Sequence, residues 1–223
     1  MKIVAIIPPR AGSKGILGKN ITLLAQKPMI CYSIDQAKKS KYINKIIVSS
    51  DGNEILDISK KCGAECIKRP KELAGDNSKI DETIKHVLSE LEKSGEVFDL
   101  VVLLQPTSPL RKSETIDKAI ELFIKNKDNF DSLMPLAKAL NKIGIIENNK
   151  FIPKYSAGVQ RQEMEELYYD CGTIHIFKPE IINTGNFFGD RIFAFKINHP
   201  ESIDIDSQDD IELAEFYIQK YAN

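Results

Sequence analysis

The segment KIVAIIPPRAGSKGILGKN, residues 2–20, decides the fold of this 223-residue chain. It begins as an apolar run of strand length and continues into thirteen residues that hold three glycines, two lysines and one arginine but no acidic residue. Glycine lets the backbone approach a ligand closely, and the three cations attract negative charge. We expect a first β-strand that ends at a phosphate-binding loop.

Up to about residue 136 the chain alternates apolar runs of strand length with amphipathic runs of helix length. Uninterrupted apolar strands such as VVLL, residues 101–104, are typical of parallel sheets that helices cover on both faces. The alternation predicts an α/β fold with a doubly wound, mainly parallel sheet. The predicted strands are 2–7, 45–50, 65–68, 99–104 and 131–136, and the predicted helices are 29–40, 53–62, 79–94 and 113–126.

Ligands of such sheets bind in a crevice beyond the carboxyl ends of the strands. Polar, turn-rich segments follow the predicted strands at that edge. They are PPRAGSKG (8–15), SSDG (49–52), KRP (68–70) and QPTSPLR (105–111). We therefore expect the functional site at this edge of the sheet.

An excursion over residues 138–170 interrupts the alternation. The run IGIIENNKFIPK, residues 143–154, predicts a hairpin with Asn148 and Asn149 at its tip. Two strands, 173–177 and 192–197, and a final helix, 207–221, follow. The chain shows neither repeats nor linkers, so residues 1–223 are predicted to form one domain.

Charge and cysteine content argue against several classes of protein. Thirty-one basic and 32 acidic residues leave a net charge of −1, so nucleic acid is not an expected partner. No apolar stretch approaches the roughly 18 residues of a membrane helix, and the N-terminal run is too short for a signal peptide, so we expect a cytoplasmic protein without a membrane partner. The cysteines are expected to be free thiols, since no cysteine or histidine pair completes a zinc site; they are Cys31, Cys62, Cys66 and Cys171.

The glycine-rich loop differs from two familiar phosphate-binding loops. A P-loop requires four residues between its glycines and a hydroxyl residue after its lysine, whereas five residues separate Gly12 from Gly18 and Asn20 follows Lys19. A dinucleotide fingerprint requires G-x-G-x-x-G, whereas this loop reads G-x-x-G-x-x-G.

The loop RAGSKGILGKN, residues 10–20, instead resembles the signature loop of the acylneuraminate cytidylyltransferases. The further matching segments, in chain order, are VSSDG (48–52), RPKELAGD (69–76), LLQPTSPLR (103–111) and SIDIDSQDDIELAE (202–215). The resemblance implies a Rossmann-like nucleotidyltransferase fold with a protruding excursion. It also implies a reaction in which CTP transfers CMP to a nine-carbon 2-keto sugar acid and releases pyrophosphate.

Alternatives remain open at this point. CMP-legionaminate and CMP-pseudaminate synthetases are similar enzymes. The CMP-KDO synthetase branch shares the chemistry, although its loop lacks the GSKG of residues 12–15. A non-catalytic nucleotide-binding module is an alternative of another class.

The resemblance implies roles for individual residues around the nucleotide. The expected catalytic residues are Arg10, Lys14, Lys19 and Asp206, of which the three cations would hold the triphosphate. The expected nucleotide-binding residues are Gly12, Ser13, Gly15, Asn20, Arg69, Asp76 and Ser78, with Arg69 at the cytosine.

The IDID segment, residues 203–206, is a candidate Mg²⁺ site. Side chains two residues apart in an extended segment point to the same face, so Asp204 and Asp206 would converge. Mg²⁺ favours a few carboxylates together with phosphate oxygens. The following Ser207 and Asp210 are also typical of a helix N-cap and an acidic first turn, a role that is compatible with metal binding by the two aspartates.

Another group of residues is expected to bind the sugar acid by resemblance. It comprises Gln105, Lys142, Arg161, Gln162, Phe187 and Phe188, of which Lys142, Arg161 and Gln162 belong to the excursion. In the family this part of the fold is exchanged across a homodimer, so these three would reach the partner's pocket, where Arg161 would pair with the sugar carboxylate.

The segment YYDCGTIHIF, residues 168–177, departs from the family pattern. Sialic acid enzymes often read R-P-N-G-A-I-Y-I here, so that Cys171 replaces an asparagine and His175 a tyrosine. Because this region faces the sugar, the sequence leaves the identity of the sugar acid open.

Overall fold

The computed structural model describes residues 1–12, 15–75, 78–156, 158, 160 and 163–222. Its strands are β1 (Ile3–Ile7), β2 (Leu23–Leu24), β3 (Lys27–Pro28), β4 (Lys45–Ser50), β5 (Glu65–Lys68), β6 (Leu100–Leu103), β7 (Ser132–Lys138), β8 (Gly144–Glu147), β9 (Lys150–Pro153), β10 (Tyr168–Asp170), β11 (His175–Phe177) and β12 (Ile192–Lys196). Its α-helices are α1 (Met29–Lys39), α2 (Asn53–Lys61), α3 (Ile80–Lys93), α4 (Ser113–Asn126) and α5 (Gln208–Ala222). The helices and strands predicted from the sequence are present, with ends that agree within two residues.

The central eight-stranded sheet is mainly parallel, as predicted. Strands β5, β4, β1 and β6 lie side by side and run in parallel. Strand β11 runs antiparallel to both β6 and β7, which makes β7 parallel to β6, and β12 pairs in parallel with β7. Strands β10 and β11 run opposite to the others and pair with successive parts of β7.

Side chains of β1 alternate between two hydrophobic cores. Ile3, Ala5 and Ile7 pack with helices α1, α2 and α4, whereas Val4 and Ile6 pack with α3 on the opposite face. All five side chains are buried, as a strand covered on both faces requires. The doubly wound prediction is therefore confirmed, and the carboxyl ends of β1, β4 and β6 meet at one edge.

One expectation about the cysteines was wrong. Cys31 in α1 and Cys62, directly after α2, form a disulfide with a Cα–Cα distance of 5.8 Å. The two helices pack against the same face of the sheet, which brings residues 31 positions apart into bonding range. Cys66 and Cys171 are free thiols, as expected, and Cys171 is buried.

The excursion carries a hairpin that is separate from the central sheet. Strands β8 and β9 pair only with each other, and Asn148 and Asn149 at the tip have φ angles of 50° and 64°. Positive φ at both turn residues is the geometry of a tight hairpin turn, so the predicted hairpin is confirmed. No helix among the described residues is long and apolar enough to cross a membrane.

Candidate active site

A cleft of about 270 Å³ opens at the carboxyl edge of the sheet, where β1 and β6 end. The sequence-predicted residues in its lining are Arg10, Gly15, Lys19, Asn20, Gln105 and Asp206. They come from three distant parts of the chain. The structure therefore brings these predicted residues together at the edge that the topology rule indicates.

Lys19 links the two ends of the chain across this cleft. Its Nζ donates hydrogen bonds to Oδ1 of Asp206 at 2.8 Å and to the carbonyl of Ile205 at 2.7 Å. A short 3₁₀ helix, Lys19–Ile21, begins after Gly18, whose φ of 65° suits glycine. The glycine-rich loop and the IDID segment thus form one site, although 187 residues separate their charged groups.

Close backbone approach explains one glycine of the loop. A Cβ atom on Gly15 would lie 2.7 Å from the carbonyl oxygen of Asp206, closer than real contacts allow, whereas a Cβ atom on Gly12 would meet nothing within 4 Å. Nδ2 of the buried Asn20 donates a hydrogen bond of 2.9 Å to the carbonyl of Arg10. Asn20 therefore anchors the backbone of the loop at Arg10.

The two aspartates of IDID lie on one side of an extended segment, as predicted. Ile203 and Ile205, which alternate with the two aspartates along the chain, are buried, and the N–H of Ile205 donates to the carbonyl of Thr107 at 2.9 Å. Partial removal from water raises the pKa of Asp204, a hydrogen bond to Thr107 opposes that shift, and the charge of Asp206 adds to it. Two carboxylates that disfavour each other's charge form a suitable place for a cation.

These carboxylates fit the donor set that Mg²⁺ prefers. Among the described residues no cluster of three or more His, Cys, Asp or Glu side chains is arranged to hold a metal. The remaining ligands would then be phosphate oxygens and water. The predicted helix cap is also present, since Oγ of Ser207 accepts a hydrogen bond from the N–H of Asp210 at 3.3 Å and the N–H of Ser207 donates to the Asp210 carboxylate at 2.8 Å.

Arg69, expected at the cytosine, is buried at the carboxyl edge of the sheet. Its guanidinium donates to the carbonyl of Pro9 at 2.7 Å and to the carbonyl of Ser49, which ties the ends of β1 and β4 together. Burial lowers the pKa of Arg69 to about 10. The hydroxyl of Ser78, another residue expected at the nucleotide, donates to the carbonyl of Glu72 at 2.9 Å.

Arg111, the last residue of the QPTSPLR segment, is also buried at this edge. Its guanidinium donates to Oγ of Ser33 at 2.6 Å, to the carbonyl of Gln105 at 3.2 Å and to the carbonyl of Thr173. Burial lowers the pKa of Arg111 to about 9. Arg111 therefore holds two loops in place, and it is a positioning residue.

The paired phenylalanines lie on the α3 face of the sheet, around His175. The ring centroids of Phe187 and Phe188 are 4.0 Å apart, and they lie 5.7 and 5.4 Å from the imidazole centroid. The carboxylate of Asp81, in the first turn of α3, accepts a hydrogen bond from the N–H of Phe187. Phe187 itself is buried, so it is partly a core residue.

The other predicted site residues are further from this edge or outside the described part. Lys142 is exposed on the excursion, with Nζ 5.2 Å from the ring centroid of Tyr155. The predicted residues that lie outside the described residues are Ser13, Lys14, Asp76, Arg161 and Gln162.

A family model described as "Cytidylyltransferase" matches residues 4–221. The chain belongs to the cytidylyltransferase family. Its fold is shared by a solved structure of CMP:2-keto-3-deoxy-manno-octonic acid synthetase complexed with CTP, with a TM-score of 0.73 at 13% identity over 99% of this chain and 100% of that one. The resemblance of its motifs to this family is therefore confirmed.

Two relatives are similar to this chain over 96% of its length. An N-acylneuraminate cytidylyltransferase of Escherichia coli O18:K1:H7 is 34% identical over 220 residues, which cover 96% of this chain and 51% of that protein. The chain therefore spans about half the length of this relative. A CMP-N,N'-diacetyllegionaminic acid synthase of Legionella pneumophila is 35% identical over 221 residues, which cover 96% of this chain and 95% of that protein.

Proposed function

We propose that this protein is a CTP-dependent cytidylyltransferase that converts a nonulosonic acid, most closely an N-acylneuraminate, to its CMP-sugar with release of pyrophosphate. The observation that carries the proposal is the Lys19–Asp206 contact across a cleft that Arg10 and Gln105 also line. Cationic phosphate ligands, a carboxylate pair and a polar group for a second substrate meet at one edge. Transfer of a nucleotidyl group requires this combination.

In the proposed reaction the anomeric hydroxyl of the sugar acid attacks the α-phosphate of CTP. A new P–O bond forms, the bond to the β-phosphate breaks, pyrophosphate leaves and the hydroxyl proton is lost. Arg10 and Lys19 offset the negative charge of the triphosphate, and Gly15 leaves room for close backbone contact. Arg111 fixes the backbone of Gln105 beside the acceptor sugar.

Asp204 and Asp206 are the residues that would hold Mg²⁺, which supplies positive charge at the phosphates. The support is their shared face and the raised pKa of Asp204. Lys19 is already bonded to Asp206, so this carboxylate would be oriented by the loop that holds the triphosphate.

The proposed assembly is a homodimer in which the excursion contacts the partner. Its hairpin exposes 75% of Ile146 and 55% of Phe151 to solvent, and Leu140 and Ile143 nearby are also exposed. Apolar side chains grouped on a projecting element favour a protein interface. A second copy would cover them and would bring Lys142, Arg161 and Gln162 toward the neighbouring sugar pocket.

A CMP-legionaminate or CMP-pseudaminate synthetase is the second candidate. The observation that favours it is the replacement of the usual tyrosine by His175, which contacts both phenylalanines of the predicted sugar pocket. CMP-KDO synthesis has the fold likeness alone in its favour.

A substrate panel tests the proposal. The protein is incubated with CTP, Mg²⁺ and, separately, N-acetylneuraminic acid, N,N'-diacetyllegionaminic acid, pseudaminic acid and KDO, and pyrophosphate release is measured. Release with a nine-carbon acid supports the proposal, and the preferred acid decides between the first two candidates. CTP binding without turnover of any acid would indicate a non-catalytic nucleotide-binding module.

A further inference from the structure

A carboxylate with two fixed hydrogen-bond donors stands beside the predicted sugar pocket. Nε2 of His175 lies 3.0 and 3.2 Å from the two carboxylate oxygens of Asp170. The N–H of Gly172 donates to Oδ1 of the same carboxylate at 2.8 Å. A proton on Nε2 satisfies this arrangement, and the buried Nδ1 has no hydrogen-bond partner among the described residues.

These donors keep Asp170 charged. Burial opposes ionisation, but the hydrogen bonds from His175 and from the N–H of Gly172 outweigh it and lower the pKa of Asp170. The carboxylate is therefore a permanent hydrogen-bond acceptor with no proton to donate near neutral pH.

Two sets of contacts place Asp170 and His175 next to the residues predicted to bind the sugar. The imidazole of His175 touches Phe187 and Phe188, and a Cβ atom on Gly172 would lie 3.7 Å from Cγ of Gln105. Gln105 in turn lines the cleft that contains Lys19 and Asp206. Asp170 is thus bonded to two residues, His175 and Gly172, that adjoin the phenylalanines and Gln105, respectively.

Exposure separates the two members of the pair. The side chain of His175 is 5% exposed, whereas that of Asp170 is 35% exposed. A carboxylate has about four acceptor positions, and the protein occupies those that face His175 and Gly172. Acceptor capacity remains on the open side of Asp170.

We infer that Asp170 accepts a hydrogen bond from an N–H or hydroxyl group of the sugar acid, and that His175 positions it for this contact. The inference rests on the proposed function, and it makes Asp170 a specificity-determining residue. A donor on the sugar matches the carboxylate, whereas an acceptor at the same place is rejected because two acceptors repel. The phenylalanine rings offer an adjacent surface to an acyl methyl group.

The test compares steady-state kinetics of the wild-type protein with those of Asp170→Asn. The KM for the sugar acid should rise about tenfold, because a charge-assisted hydrogen bond is lost, while the KM for CTP changes less than about twofold. Asp131→Asn is the matched control. It makes the same chemical change directly before β7, whereas β10, which contains Asp170, pairs with the other end of that strand. Both KM values should therefore remain unchanged.

Variants of His175 test its positioning role. His175→Phe keeps an aromatic ring but removes the donor to Asp170, and it should raise the sugar KM. His175→Gln restores an N–H near the position of Nε2 and should recover part of that loss. A merely structural pair would instead lower the melting temperature, with no selective change in the sugar KM.

The outcomes distinguish this inference from the proposed function. A selective rise in KM on N-acetylneuraminic acid or N,N'-diacetyllegionaminic acid supports the role of Asp170. Wild-type turnover combined with unchanged sugar KM in Asp170→Asn would overturn the inference alone. Absence of wild-type turnover with every acid would overturn both.

Discussion

The cleft at the sheet edge and the excursion differ in how their side chains are partnered within the chain. In the cleft, Lys19 contacts Asp206 and Asn20 contacts the backbone of Arg10, so the chain itself organises the polar groups. In the hairpin of the excursion, Ile146 and Phe151 are largely exposed. The cleft is thus organised by contacts within one chain, whereas the apolar hairpin has no such cover among the described residues, and this is why the proposed dimer places a second copy there.

The largest effect is expected from a substitution of Asp206, which tests how the cleft is organised. Asp206→Asn should lower kcat about 100-fold under saturating Mg²⁺, because it weakens both the proposed metal site and the contact with Lys19. Circular dichroism should show an intact fold. Asp209→Asn, in the acidic first turn of α5, is the charge-matched control and should retain activity. Near-normal turnover in Asp206→Asn would refute the metal-binding role.

A smaller effect is expected from the close contact between the loop and the IDID segment. Gly15→Ala should reduce kcat/KM about 10- to 100-fold, because its Cβ atom would collide with the carbonyl of Asp206 and force the two segments apart. Leu17→Ala, at a side chain of the same loop that is 92% exposed, is the control and should have little effect. Equal losses in the two variants would argue against the close approach.

The molar mass of the protein in solution tests whether the excursion forms a dimer interface. Wild-type protein should elute with about twice the 25.1 kDa mass of one chain in light-scattering chromatography. Phe151→Asp should shift the population toward monomer, because it buries a charge in the proposed interface. The neighbouring Lys150→Ala should remain dimeric. A monomeric wild-type protein would contradict the proposed assembly.

The smallest effect is a pH-dependent contribution to stability remote from both regions. Asp131 accepts hydrogen bonds from the side chain and the N–H of Arg191, which lower its pKa to about 2. Because the unfolded value is about 3.9, this contribution is complete above that pH and is lost as the pH falls toward 2. Asp131→Asn should therefore lower the melting temperature slightly at pH 7, and the difference from wild type should vanish near pH 2. A difference independent of pH would show that the ion pair is not its source.

Sequence periodicity predicted most of the fold, because apolar runs such as Ile3–Ile7 and amphipathic helices such as α3 carry their burial pattern locally. Motif resemblance predicted which distant segments meet, and the Lys19–Asp206 contact agrees with it. The Cys31–Cys62 disulfide was missed because its proximity depends on how two helices pack, which no local pattern encodes.

The sequence also gave little indication of what surrounds individual site residues. Arg69 was expected near the cytosine, and the structure adds that its buried guanidinium donates to backbone carbonyls; no sequence pattern distinguishes a buried guanidinium from an exposed one. The Asp170–His175 contact depends on the irregular connection between β10 and β11, which alternation does not reveal. The unusual YYDCGTIHIF segment was the available signal, because it departed from the family pattern where the sugar is expected.

The most direct test of the proposed activity is ³¹P NMR of one reaction mixture. The wild-type protein is mixed with CTP, Mg²⁺ and the best acid of the panel, and the spectrum is followed over time. A CMP-sugar phosphodiester signal and pyrophosphate should appear in equal amounts, and only when the acid is present. Persistence of CTP, or its hydrolysis independent of the acid, would contradict the account.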